Sequence, residues 1–131
     1  MAQTQPTKSS IVIFAKDTKR LSVFYQKTLN LEVVEQEKSH EVLTGHSIEV
    51  VIHAIPAKHA TAIKIEEPPV LRANSAIKPA FWVEDLAATR KTATRYGGQL
   101  KPLAGVWKIR GALVLDGNDP EGNVIQFKQP E

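Results

Sequence analysis

The residues of this 131-residue chain that could do chemistry are four histidines, two tryptophans and a spread of lysines and carboxylates. No two of His40, His46, His53 and His59 stand four residues apart on a helix, so the helical histidine pairing of a zinc protease is absent. The chain has no cysteine, which excludes disulfides, thiolate zinc centres, iron–sulfur clusters and cysteine nucleophiles. No serine sits in a Gly-x-Ser-x-Gly elbow. The Gly117 to Gly122 segment lacks the strand–loop–helix setting and the Gly-Lys-Ser/Thr ending of a phosphate loop. His53 lies in an apolar stretch, either as a hydrogen-bonded strand residue or as a proton shuttle. His40, His46 and His59 fall in turns or in a connector and read as surface. Trp82 is either core or a stacking wall for a planar aromatic ligand. Trp107 is expected in a loop, Ala104 to Lys108, where it packs or caps a cavity or a dimer contact. Lys101, Lys108 and Arg110 form a basic cluster, either a solvated face or an attraction for an anionic ligand.

Apolar residues make up 42% of the chain, enough for the core of one domain. The formal net charge is +3, spread along the sequence rather than set in a stripe, so no nucleic-acid partner is expected. No apolar run approaches the roughly 20 residues that span a bilayer. The first residues are polar with no apolar core of a signal peptide. The expectation is a cytoplasmic globular domain, with a disordered tail over residues 1–9 and no membrane partner.

The elements follow from pattern. Ile11 to Ala15 is a short β-rich apolar run. Asp17 or Thr18 then caps a helix whose Leu21, Phe24, Tyr25 and Leu29 share one face, with Asn30 suited to its left-handed end. Strands are predicted over 31–37, 41–44 and 47–55. Residues 56–75, with Pro56, Pro68 and Pro69, read as a connector that holds at most one strand, around 62–66. The pattern then returns. A strand is predicted over 77–83, limited by Pro79. Asp85 caps a helix stopped by Gly97-Gly98. Short strands follow over 99–103, 109–116 and 123–128, the last two joined by a hairpin loop from Asp116 to Asn123. Each half reads strand, helix, strand, strand, strand. Such a unit leaves one sheet face bare, so two must combine. The fold class is α+β: two tandem β-α-β-β-β modules, 10–55 and 76–128, in one domain over 10–128, forming facing half-barrel sheets around one cavity.

This order resembles the vicinal oxygen chelate superfamily, which holds the glyoxalase I, bleomycin-resistance and extradiol dioxygenase families. The residues that carry the resemblance are Asp17 with Phe24-Tyr25 and Leu29-Asn30-Leu31, then Phe81 to Leu86, then Asp119-Pro120-Glu121-Gly122-Asn123. The resemblance implies a divalent-metal site on the first and last strands of each half. The first-strand ligand is usually His, seven residues before the capping Asp, which here gives Ser10 and Lys78. The last-strand ligand is usually Glu. It falls at Gln126 in the second half and corresponds to Glu49 in the first. Divalent ions need three or four nitrogen or oxygen donors, and an ammonium in their place repels them. No metal and no other cofactor is expected.

Residues sharing a strand face with those positions would line the cavity: Val12 and Phe14 with Ser10, Val51 and His53 with Glu49, Ala80 and Trp82 with Lys78, Val124 and Lys128 with Gln126. The expected ligand-binding set is Ser10, Val12, Phe14, Glu49, Val51, His53, Lys78, Trp82, Trp107 and Gln126. If the resemblance holds, Lys78 and Glu49 converge, either as a plain ion pair or as an oxyanion anchor beside a base. Glu49, Lys78 and His53 are the catalytic candidates. The leading expectation is a metal-free protein that encloses a small apolar or aromatic ligand. The alternatives are a metal-free enzyme using those residues and a glyoxalase-like lyase, isomerase or dioxygenase. A homodimer is expected, because a second copy would cover exposed sheet edges.

Overall fold

The computed structural model describes residues 8–131. The tail expected over 1–9 lies outside the described residues except for Lys8 and Ser9, and Ser9 already belongs to the first strand. That strand, β1 (Ser9–Ala15), alternates: Ile11, Ile13 and Ala15 turn inward, while Ser10, Val12 and Phe14 face out. Helix α1 (Thr18–Leu29) is capped by Asp17, whose carboxylate accepts from the Arg20 N–H at 3.1 Å, and it ends on Asn30 in the left-handed region, φ 53°. Its predicted apolar face is the buried one, with Leu21, Phe24 and Tyr25 fully enclosed. Strands β2 (Glu32–Gln36), β3 (His40–Thr44) and β4 (Ile48–Ala54) complete a mixed sheet in the order β1-β4-β3-β2, with β1 and β4 parallel.

No strand forms around residues 62–66; the segment between the sheets holds only the short helix α2 (Ala57–Ala60). The second half contains β5 (Ala80–Trp82), α3 (Leu86–Arg95), β6 (Gln99–Leu100), β7 (Trp107–Ile109), β8 (Ala112–Asn118) and β9 (Val124–Pro130). Here β9 lies between β5 and β8, and β6 and β7 share the other edge of β8. Asp85 caps α3 by accepting from the N–H groups of Ala87 and Ala88 at 2.9 and 3.2 Å.

Four expectations about the second half are corrected. Strand β5 is shorter than 77–83, because Pro79 has no N–H for the ladder; its carbonyl alone is used, accepting from Gln126 N at 2.9 Å. The single strand expected over 109–116 is a hairpin, in which Arg110 and Gly111, at φ 47° and 77°, turn β7 into β8. Trp107 is therefore a strand residue opposite Val114, not a loop residue. The strand expected over 99–103 stops at Leu100, because a single 3-10 turn begins at Leu103, just after Pro102.

One core serves both halves. It joins Leu21, Phe24 and Tyr25 of α1, Leu86 and Ala93 of α3, Val50 and Ile52 of the first sheet, and Leu115, Ile125 and Phe127 of the second. The Tyr25 ring stands 5.8 Å from Phe81, which stands 6.2 Å from Phe127. Each Val, Leu, Ile or Phe side chain buried in full contributes about 1.5–3 kcal/mol. The helices cover one face of each sheet and leave the other uncovered.

The Asp119 to Asn123 turn fastens the halves together. Asp119 is fully buried and accepts from the Tyr25 hydroxyl at 2.7 Å, the Asn123 side-chain amide at 2.8 Å, and the N–H groups of Glu121 and Asn123 at 2.9 and 3.1 Å. Glu121, also buried, accepts from the N–H groups of Lys16 and Asp17 at 2.9 and 2.8 Å, at the entry to α1. Gly122 has φ 84°, and a Cβ there would lie 2.1 Å from the Val70 carbonyl oxygen. No described helix is long and apolar enough to cross a membrane.

Candidate functional site: the uncovered sheet faces

The first uncovered face is built in three rows by strand register. At one end Ser10 lies opposite Glu49 and Glu49 opposite Thr44. The Ser10 hydroxyl donates to Glu49 Oε1 at 2.7 Å, and Lys8 Nζ donates to Thr44 Oγ1 at 2.6 Å. The middle row is apolar: Val12, Val51 and Val42. At the other end Phe14, His53 and His40 stand side by side on β1, β4 and β3. The Phe14 and His53 rings are 5.4 Å apart, and the two imidazoles stack at 6.0 Å, 14° from parallel. His53 Nδ1 donates to the Ala54 carbonyl at 2.9 Å, leaving Nε2 directed elsewhere. His40 Nε2 donates to Glu35 at 2.6 Å. His40 was expected in a turn; it is instead the first residue of β3, on the same face as His53. The alternation of His40, Val42 and Thr44 carries that placement, and it needs the strand to begin one residue earlier.

On the second face Trp82 lies opposite Lys128, whose ammonium sits 5.8 Å from the indole ring. Lys128 lies opposite Val114, and Val114 opposite Trp107, so the two tryptophans occupy the same row on outer strands. At the other end Asp116 gathers the polar groups. It accepts from Lys78 Nζ at 3.1 Å and from the Gln126 amide at 3.1 Å. Asp116 was expected at the edge of a loop. Strand β8 runs on through Asn118, which sets Asp116 opposite Gln126 and on its face.

The structure brings together Ser10 and Glu49, and Phe14 and His53, but not Lys78 and Glu49. Each of those two charges is partnered within its own half, Lys78 by Asp116 and Glu49 by Ser10. Gln126 lies opposite Ala80, while Lys78 precedes β5, beyond Pro79.

Two cavities flank residues 72–79. One, of about 390 Å³, lies between Val12 and Phe14 on one side and Ile77, Pro79 and Val124 on the other. The second, of about 690 Å³, lies over Lys78, Asp116 and Asn118 of the second face. Arg72, Ser75 and Ile77 border both.

The donors at the metal positions implied by the resemblance are already engaged. Ser10 already gives its proton to Glu49, Gln126 turns its amide N–H toward Asp116, and Lys78 is a cation in an ion pair. Such a set does not fit a divalent ion. Among the described residues no group of three or more His, Asp and Glu side chains is placed to hold one.

No family model matches the chain, and no curated protein matches it by sequence. Solved structures do match by shape. A glyoxalase/bleomycin resistance protein/dioxygenase family enzyme from Burkholderia phytofirmans PsJN aligns with TM-score 0.68 at 17% identity, covering 96% of this chain and 100% of that one. A glyoxalase/bleomycin resistance protein from Albidiferax ferrireducens T118 aligns with TM-score 0.65 at 17% identity, over 94% and 98%. A bleomycin resistance determinant encoded on the transposon Tn5 aligns with TM-score 0.58 at 16% identity, over 96% and 99%. Over nearly all of its described length, then, the chain has the fold of the glyoxalase/bleomycin resistance/dioxygenase proteins, the group that its motifs resemble.

Proposed function

We propose that this protein binds a small apolar or aromatic molecule without a metal, and that it encloses the ligand against the uncovered sheet faces in a homodimer. The observation that carries the reading is apolar exposure in a fold with a well-filled core. Val12, Phe14 and Trp82 are 53%, 55% and 61% exposed, all on those faces. Side chains of this kind, set in ordered rows and edged by polar groups, mark a surface that is covered in use. Phe14 with His53, and Trp82 with Trp107, supply flat walls for an aromatic ring. The similarity in shape to a bleomycin resistance determinant supports a binding role. Ser10, Glu49, Val51, His53, Lys78 and Gln126 provide the polar points and lining that orient a ligand. Among the described residues no nucleophile, base and orienting group come together on either face, and the reading is therefore of binding rather than turnover.

Titration of the full chain with 2-naphthol, read by tryptophan fluorescence, tests this. Saturable quenching is expected, unchanged by excess chelator and weakened at least tenfold in Trp82→Ala. Quenching that never saturates, or that requires an added divalent ion, would overturn the reading.

A further inference from the structure

The cavity of about 690 Å³ over the second face has a charge balance that identifies its ligand more closely. Three cations border it, Arg72, Lys78 and Lys101, and one carboxylate, Asp116. Two of the cations are already matched. Lys78 is paired with Asp116 at 3.1 Å. Arg72 lies 3.9 Å from the buried carboxylate of Glu121 and also donates to the Glu121 carbonyl at 3.2 Å. Lys101 has no ion-pair partner among the described residues. One positive charge is left over.

The other walls are mainly apolar, with Ser75, Gln99 and Asn118 among them. Leu71, Ile77 and Val124 approach from the connector and from β9, and Leu100 closes the β6 side. Asp116 is turned toward Lys78 and held by Gln126, so its negative charge is satisfied from two sides. The uncompensated charge is therefore cationic and sits beside an apolar pocket. A ligand with one negative charge and an apolar body neutralises it. A dianion would leave an excess, and an amine would add to the existing charge.

We propose that this cavity takes a small organic monocarboxylate, with the carboxylate drawn to Lys101 and Lys78 and the body against Ile77, Leu100 and Val124. The assignment rests on the binding role proposed above and names the chemical class that the second face selects. Neither lysine is buried, and Lys78 is half exposed, so both can be changed without opening the core.

Isothermal titration of the full chain with benzoate, benzamide and benzylamine separates the possibilities. Benzoate is expected to bind saturably, at least tenfold more tightly than benzamide or benzylamine. Lys101→Gln and Lys78→Gln are each expected to weaken benzoate about tenfold, which is about 1.4 kcal/mol, with melting temperatures close to that of the unaltered chain. Lys101→Arg, which keeps the charge, is expected to restore binding. Equal affinity for benzoate and benzamide would overturn the monocarboxylate assignment while leaving the aromatic-binding role intact. Saturable 2-naphthol quenching with no heat from benzoate would do the same. Loss of both signals would remove both readings.

Discussion

Tyr25 and Asp119 meet through one buried hydrogen bond of 2.7 Å that spans the two halves. Burial, and then the neighbouring Asp119 charge, hold the Tyr25 phenol well above its ordinary value of 10.0. Burial also raises the Asp119 carboxyl above 3.8, against the pull of the hydrogen bonds it accepts. In the unfolded chain Tyr25 loses its proton near its ordinary value, while the folded chain keeps it. The unfolded state therefore binds fewer protons at alkaline pH, and the stabilisation that is full below 10.0 is lost as pH rises beyond it. Tyr25→Phe is expected to cost about 1–3 kcal/mol at neutral pH, because Asp119 is left with a missing donor. The variant should also lose stability less steeply above about pH 10, by up to about 1.4 kcal/mol per pH unit. Urea unfolding across that range checks both, and equal slopes in the two proteins would count against the buried phenol. Lys78→Met is a contrasting case. Its ion pair with Asp116 is partly solvated on both sides, so the change should cost less than about 1 kcal/mol in the same assay. The residue chemistry was legible where it depends on local order, as in the capping Asp17 and Asp85. Asp116 was not, because its role depends on how far β8 continues.

At the scale of elements, the helices and the first sheet follow from their pattern, since caps and apolar spacing act within a few residues. The β7–β8 hairpin does not. Its turn is Arg110-Gly111, and a non-glycine residue at φ 47° is an unusual first turn residue. Asn tolerates that region better than Arg, so Arg110→Asn is expected to stabilise the chain by about 0.5 kcal/mol. Gly111→Val, at φ 77°, is expected to cost more than about 1 kcal/mol. Thermal melting of the two variants in opposite directions would confirm the turn, and melting in the same direction would refute it. Gly122→Ala carries a harsher penalty, because the new Cβ meets the Val70 carbonyl at 2.1 Å as well as a positive φ. That close contact explains the Gly of Asp119-Pro120-Glu121-Gly122-Asn123 in physical terms: the turn packs backbone to backbone against the connector.

For the molecule as a whole, the two uncovered faces differ in charge. The first carries Glu35 and Glu49 against Lys8, a net negative charge, and the second carries Lys78 and Lys128 against Asp116, a net positive one. Opposite charges around apolar rows favour pairing of the first face of one copy with the second face of another. Light scattering is expected to give a dimer, and Phe14→Asp or Trp82→Asp to give folded monomers, since neither side chain belongs to the core. A wild-type monomer at all concentrations would defeat the dimeric part of the proposal.

Local order along the chain was sufficient to establish the repeated strand–helix–strand plan, the capped helices and the class of fold, because capping, periodicity and turn chemistry each operate over a few neighbouring residues; the fifth strand of the second sheet was not visible in it. Which charges meet was decided only by the folded chain. Lys78 with Asp116, His40 with His53 and Asp119 with Tyr25 are contacts between residues distant along the chain, and they depend on register and strand length. A strand that runs two residues further changes its partners without altering any pattern visible in the sequence.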